Sequence, residues 1–258
     1  MLARLSMGLA LARIVLNVVI GVLIVALLFP FINQIRRQRL IAWWARGVLA
    51  ICGVHLRVTG AVQAGSGVML LLNHISWLDI YVVNAVAPAR FVAKSEIGAW
   101  PVFGYLARRT GTVFIERGRR HAVHRTIDVL TQLLRTGGRV GVFPEGTSGD
   151  GSKLLPFHAN LIEAALHAGV DVQPVALSYR NRDGSRCHGV AFVGEMTLLD
   201  SMRASLAARP IDVQLDFLAP IDCAGRSRHQ VAALARDAIG LHLGLRDTTS
   251  DGASRRVQ

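Results

Sequence analysis

The segment Val68-Met69-Leu70-Leu71-Leu72-Asn73-His74-Ile75-Ser76-Trp77-Leu78-Asp79 decides how the chain folds. Its apolar opening reads as a strand over Val68 to Leu72. Ser76 is placed to cap a helix predicted over Ser76 to Ala87, with Asp79 at the third helical position. A strand that passes directly into a helix is the unit of an α/β sheet, whose carboxyl end is where functional groups are presented. His74 lies in that turn. Taken alone the segment also has a plain structural reading, because Ser76 and Asp79 fit a capping box and a single His near a turn is commonly incidental.

Working outward, short β-branched runs alternate with helical periodicities from about residue 55 onward. Further strands are expected at His55 to Thr59, Arg90 to Ala93, Thr112 to Glu116, Arg139 to Phe143, Val172 to Ser178 and Asp212 to Phe217. Val123, Ile127, Leu130 and Leu134 recur at helical spacing, so Gly118 to Thr136 reads as an amphipathic helix stopped by Gly137 and Gly138. Other helices are expected at Ala159 to His167, Leu198 to Ala208 and Arg228 to Leu243. The pattern predicts one α/β domain over 55–246, with a mostly parallel or mixed sheet flanked by helices. Residues 247–258 are polar and aperiodic and read as a disordered tail. There is no internal repeat.

The chain has 258 residues, 52% of them hydrophobic, and a mean hydropathy of +0.39. This excess points to contact with lipid and concentrates at the amino end. Ile14 to Ile32 carries one polar side chain, Asn17, and as a helix would be about 28 Å long, close to the hydrocarbon thickness of a bilayer. Its length and its ending in Phe29, Pro30 and Phe31 fit an uncleaved anchor better than a signal peptide. Leu40 to Leu56 carries Arg46 centrally and Trp43 and Trp44 near its start, as a helix in the headgroup layer would. Residues 1–54 are therefore expected to be a membrane-anchoring helix pair. Arg36, Arg37, Arg39 and Arg46 follow the first run while Arg4 and Arg13 precede it, which places the downstream domain on the cytoplasmic side of an inner membrane.

A net charge of +12 would suit nucleic acid, anionic lipid or an acidic substrate. The basic residues are spread along the chain without zinc-finger spacing or an aromatic RNA-binding signature, so membrane lipid rather than nucleic acid is the expected partner. Among 29 basic residues the only lysines are Lys94 and Lys153, positions that would suit a compact ammonium. Cys52, Cys187 and Cys223 have neither metal-ligand nor disulfide spacing.

Two further segments carry chemistry. The strand Arg139 to Phe143 runs into Pro144-Glu145-Gly146-Thr147-Ser148-Gly149-Asp150-Gly151, where small residues let backbone approach a substrate beside a carboxylate. Gly111-Thr112-Val113-Phe114-Ile115-Glu116-Arg117 is a strand ending in a guanidinium suited to phosphate. In order and spacing the chain resembles the glycerolipid acyltransferase family, which includes the lysophosphatidate acyltransferases. The leading His-x4-Asp motif is matched by Asn73, His74 and Asp79, and Gly-x-x-Phe-Ile-x-Arg by Gly111, Phe114, Ile115 and Arg117. Phe-Pro-Glu-Gly-Thr is matched in full by Phe143 to Thr147, and a Pro within an apolar strand by Pro174.

The resemblance implies transfer of an acyl group from a thioester, on coenzyme A or acyl carrier protein, to the hydroxyl of a lysophospholipid, with no other cofactor and no metal. His74 is expected to be the general base and Asp79 its orienting partner. Lys94, Arg117, Glu145, Gly146 and Thr147 are expected to bind substrate, Arg117 and Lys94 at the acceptor phosphate and Glu145 at a second acceptor hydroxyl. Backbone N–H groups near Gly146 are expected to meet the oxyanion. The chain departs from the family at Ser148 and Gly149, where many members carry Arg-Ser, and at His158 and Ala159, where many carry Lys-Gly. A changed cation near the site opens a different acceptor, lyso-ornithine lipid being the main alternative to lysophosphatidate.

Rival readings fare worse. Gly146-Thr147-Ser148 begins like a nucleophile elbow, but Asp150 stands where Gly is required. A non-enzymatic lipid-binding protein would have no need of both His74 and Asp79. His121 and His124 lack a third metal ligand nearby in sequence, and no Walker A or Gly-x-Gly-x-x-Gly stretch is present.

Overall fold

The computed structural model describes residues 2–65, 67–116 and 120–245, and for residues 2–6 and 120 the backbone only. Arg117 and the expected tail at 247–258 lie outside the described residues. The chain opens with α1 (Leu2–Leu23), continues through a π-helical turn (Ile24–Leu28) and a 3-10 turn (Phe29–Phe31), and returns in α2 (Gln34–Ile51). The domain follows as β1 (Val54–Thr59), β2 (Val68–Leu72), α3 (Asp79–Val86), β3 (Arg90–Lys94), α4 (Ser95–Gly98), α5 (Pro101–Thr110), β4 (Val113–Ile115), α6 (Arg120–Arg135), β5 (Arg139–Val142), α7 (Glu163–Ala168), β6 (Val172–Arg180), α8 (Leu198–Ala207), β7 (Ile211–Phe217) and α9 (Arg228–Leu243).

The seven strands form one mixed sheet in the order β1-β7-β6-β2-β5-β3-β4. Neighbours run parallel except β6 and β7. Helices cover both faces, which explains why β2 is apolar at every position. Val68, Leu70 and Leu72 enter a core shared with α2 and α3, while Met69 and Leu71 enter another formed with α6, α7 and α9. Leu70, Leu71 and Leu72 are wholly buried, each stabilising the fold by about 1.5–3 kcal/mol. β6 also tolerates Pro174 in the sheet interior. The carbonyl of Leu218, opposite the missing Pro N–H, accepts instead from Gln173 Nε2 at 3.0 Å.

Two helices escaped the sequence reading. In α5, Pro101 sits in the first turn and Gly111 stops the helix at φ 91°, and although the stretch between has a clear apolar face, it is only ten residues long and low in overall hydropathy. α4 is a single short turn. Two expected helices also start differently. α3 begins at Asp79, Ser76 to Asp79 being a tight turn closed by Asp79 N–H to Ser76 O at 3.2 Å, and the expected 159–167 helix opens with a 3-10 turn over Asn160–Ile162. The second apolar segment is helical from Gln34 to Ile51, and Leu56 belongs to β1.

α1 and α2 form an antiparallel hairpin. Trp44 Nε1 donates to Asn17 O at 2.8 Å, and the Trp44 ring lies against Gly21. Arg37 closes the tip, donating to the carbonyls of Phe29 (2.5 Å) and Ile32 (3.2 Å) that Pro30 and the turn leave without helical partners. One side of α1 joins the domain core through Ala10 and Ile14. The other side exposes Leu9, Val15, Leu16, Val19, Leu23 and Leu27. Met7–Phe31 is long and apolar enough to cross a membrane, with a mean hydropathy of 2.9 and 22% of its most apolar window buried.

Candidate active site

β2 and β5 are parallel neighbours, paired as Leu71 with Val142, so the residues after each emerge side by side. That pairing brings His74 beside Glu145. Asn73, 2% exposed, fixes the end of β2 to β6 by donating from Nδ2 to Leu177 O (2.9 Å) and accepting Leu177 N–H at Oδ1 (2.8 Å). His74 is then held at both of its backbone groups. Its N–H donates to Glu145 Oε1 at 2.8 Å, and its carbonyl accepts from Gly149 N–H at 2.8 Å.

His74 Nδ1 and Asp79 Oδ2 are 2.7 Å apart. Asp79 is fully buried and also accepts the N–H groups of Ile75 (2.7 Å) and Ser76 (2.9 Å) at Oδ2 and the Tyr179 hydroxyl (2.7 Å) at Oδ1. A buried carboxyl surrounded by donors is stable as the acceptor-only carboxylate. Nδ1 therefore carries the hydrogen and Nε2 the lone pair. The turn that looks like a capping box thus serves the imidazole as well as the helix. The His74 ring stacks on Phe143, centroids 4.1 Å apart and planes at 19°, and Phe143 in turn stacks on Phe91 at 5.6 Å.

The sequence reading missed Tyr179, Asn73 and Phe143 as supports of this pair. Strand alternation places Tyr179 on the same face as Val175 and Leu177, but nothing local shows that this face ends against Asp79. Burial and the Asp79 carboxylate push the Tyr179 hydroxyl well above its usual pKa, so it remains a donor. Tyr179→Phe should lower kcat by about three- to tenfold and Tm by a few degrees with KM unchanged, since Asp79 keeps its other three bonds. Steady-state kinetics and a melting curve check this.

Glu145 is 5% exposed, and its second oxygen accepts from Leu155 N–H at 2.9 Å. Burial raises its pKa, with the N–H groups of Leu155 and His74 opposing the rise. In this structure its carboxylate joins the two loops that frame the dyad. Gly146 takes φ 72°, a conformation natural only to glycine, and its N–H donates to Phe143 O at 3.1 Å, which sharpens the turn that aims Glu145 at His74. Thr147 is exposed. A cavity of about 450 Å³, whose wall includes Lys94, Phe143, Glu145, Gly146, Thr147 and His158, reaches the dyad through Phe143, which stacks on His74, and Glu145, which accepts its N–H. Lys94 is thus brought to the site from the end of β3, together with the family-divergent His158. Ser148 is turned elsewhere, its hydroxyl donating to Phe192 O. His121 and His124 sit on α6, both exposed.

Residues 55–178 match the family model described as Acyltransferase. The lyso-ornithine lipid O-acyltransferase of Pseudomonas aeruginosa is 39% identical over 80% of this chain and 79% of its own length. The chain belongs to the acyltransferase family. The 1-acyl-sn-glycerol-3-phosphate acyltransferase of Neisseria meningitidis serogroup B is 35% identical to this acyltransferase over 73% of the chain and 74% of that protein. The fold is that of the crystal structure of the 1-acyl-sn-glycerophosphate acyltransferase from Thermotoga maritima, with a TM-score of 0.68 and 18% identity, covering 95% of this acyltransferase and 97% of that chain. The Acyltransferase match takes in the motif residues His74, Asp79, Glu145, Gly146 and Thr147.

Proposed function

We propose that this enzyme transfers a fatty-acyl group from an acyl thioester to the free hydroxyl of lysophosphatidate, giving phosphatidate. The observation that carries the reading is the His74–Asp79 pair, with Nε2 making no hydrogen bond among the described residues and the ring stacked on Phe143 of the 450 Å³ cavity wall. Ser148, the serine of the Pro-Glu-Gly-Thr loop, does not stand ready as nucleophile, because its hydroxyl is committed to Phe192 O. The acceptor alcohol takes that place. His74 Nε2 accepts the hydroxyl proton as the oxygen attacks the thioester carbonyl, and Asp79 stabilises the imidazolium that forms. Collapse of the tetrahedral intermediate breaks the C–S bond, and the thiolate takes the proton back from His74. The N–H groups of Thr147 and Ser148, between the engaged amides of Gly146 and Gly149, stabilise the oxyanion, while Lys94 and Arg117 hold the acceptor phosphate.

A second acceptor, lyso-ornithine lipid, is favoured by the relative at 39% identity and by His158 and Ser148 standing where many members carry cations. The detergent-solubilised enzyme should release thiol from acyl-coenzyme A or acylated carrier protein only with a lysolipid present. Comparing lysophosphatidate with lyso-ornithine lipid gives the acceptor, and thiol release at equal rate without any acceptor would show hydrolysis instead.

The apolar hairpin and the arginines that follow its first helix support a site at the cytoplasmic face of an inner membrane. Phe31, 85% exposed at the hairpin tip, and Trp100 and Val102 at the start of α5 extend the apolar surface of α1. Leu106 of α5 packs with Val25 and Phe29, so these exposed groups belong to one rigid platform. Phe31→Glu should weaken binding to anionic phospholipid vesicles by about tenfold, the worth of one buried aromatic side chain. Co-sedimentation measures it, and unchanged binding would remove the tip from the membrane.

A further inference from the structure

A second cleft, of about 710 Å³, lies where β1, β7 and β6 meet α9. The register of these strands places His55, Arg57 and Thr59 on one sheet face with Asp212, Gln214 and Asp216 and with Ser178 and Arg180. The opposite face carries Ile211, Val213, Leu215, Leu177 and Tyr179 and is buried in the core. At this end the sheet therefore turns a polar face to an open cavity, as the antiparallel pair β6 and β7 allows.

The acids of this face are already engaged. Asp216 accepts from Gln214 Nε2 (2.7 Å) and the Thr59 hydroxyl, and its Oδ2 meets His242 Nε2 at 2.8 Å. Asp212 lies 3.6 Å from His55 Nδ1, and Asp150 takes the N–H and hydroxyl of Ser152 at 2.8 and 2.6 Å. Three guanidinium groups that line the same cleft, those of Arg57, Arg182 and Arg186, make no hydrogen bond or close ion pair among the described residues, although the Arg186 charge adds to the Ser152 bonds in holding the Asp150 carboxyl below its usual pKa. The cleft thus sets the guanidinium groups of Arg57, Arg180, Arg182 and Arg186 against the carboxylates of Asp150, Asp212 and Asp216, a modestly basic balance in a volume within the usual range of about 300–1,000 Å³ for small-molecule pockets. Planar guanidinium forks match phosphate oxygens.

The cleft backs onto the dyad. Its wall includes Ile75, which follows His74, and Tyr179, which donates to Asp79. It also includes Asp150 and Gly151, just beyond the Gly149 N–H bonded to His74 O. On the reading above, the 450 Å³ cavity with Lys94 takes the lysolipid acceptor, and a water-soluble acyl donor needs its own approach. We propose that the 710 Å³ cleft binds the nucleotide phosphates of acyl-coenzyme A, with Arg57, Arg182 and Arg186 as phosphate ligands and the acyl-bearing arm passing the 149–151 loop toward His74. This rests on the reading of the enzyme as a thioester-dependent acyltransferase. A carrier protein, which docks through a broad folded surface, does not fit a concave pocket of this size.

Binding of adenosine 3′,5′-bisphosphate, which has neither thiol nor acyl chain, to the detergent-solubilised full chain tests the cleft without turnover. The wild type and His74→Ala should bind it equally. The double variant Arg57→Ala/Arg182→Ala should bind at least about tenfold more weakly, and Arg203→Ala, outside the cleft, should match the wild type. In transfer assays the double variant should show a KM for acyl-coenzyme A raised at least about tenfold with the KM for lysolipid unchanged. Equal nucleotide binding by wild type and double variant would overturn the assignment, as would no binding by either with acylated carrier protein the sole effective donor. Nucleotide binding that is lost in the double variant supports the cleft even where no lysolipid tested is acylated, an outcome that would count against the acceptor reading alone.

Discussion

Purified His74→Ala is expected to lose between about a hundredfold and ten-thousandfold in kcat, with KM for the lysolipid little changed. The range is the usual contribution of a positioned general base. The fold should survive the change. What holds this residue is its backbone, bonded to Glu145 and Gly149, and both bonds remain when the imidazole is removed. The side chain itself is 21% exposed, and the variant loses mainly its stacking on Phe143. Tm should therefore fall by only a few degrees. Added imidazole should restore part of the rate by occupying the space beside Phe143, an effect no structural role for His74 would produce. Turnover equal to the wild type in a well-folded His74→Ala preparation would remove the proposed base.

Every strand was legible in the sequence because each is a short apolar or β-branched run bounded by turn residues, and β2 shows why the boundaries were sharp. Its five residues are buried on both faces, so no polar position interrupts the run until Asn73. α5 was not legible. It packs through Leu106 and Tyr105 on the hairpin, and its apolar face spans only ten residues that include Gly104 and the pair Arg108 and Arg109, too short and too polar a stretch to stand out beside the longer apolar runs. For the site, the motif spacing pointed to His74, Asp79 and Glu145, which come after the parallel neighbours β2 and β5, while Lys94, singled out as one of two lysines, stands at the end of β3. Their partners were hidden. Tyr179 reaches Asp79 across 100 positions, and Glu145 meets the His74 amide across 71, pairings fixed only once β2 lies between β5 and β6. Glu145 reads in sequence as a ligand for a substrate hydroxyl, whereas both its oxygens here accept backbone N–H groups.

Replacing Asp79 separates the charge of the dyad from its scaffold. Asp79→Ala removes the acceptor for four donors in a site with no exposure, and at about 1 kcal/mol or more for each group left unsatisfied the variant should lose about 3–5 kcal/mol and yield little folded protein. Asp79→Asn should behave differently. With its amide oxygen in the Oδ2 position it still accepts from His74 Nδ1, Ile75 N–H and Ser76 N–H, and its NH2 group faces the Tyr179 hydroxyl, which can rotate to accept. The Nδ1–H tautomer is therefore kept and the fold largely retained. What disappears is the negative charge opposite the imidazolium formed in the transition state, and kcat should fall by about 10²–10⁴-fold. In a His74→Ala background there is no imidazolium to stabilise, so adding Asp79→Asn should cost almost nothing further. An additional loss as large as that in the wild-type background would show that Asp79 acts through some group other than His74.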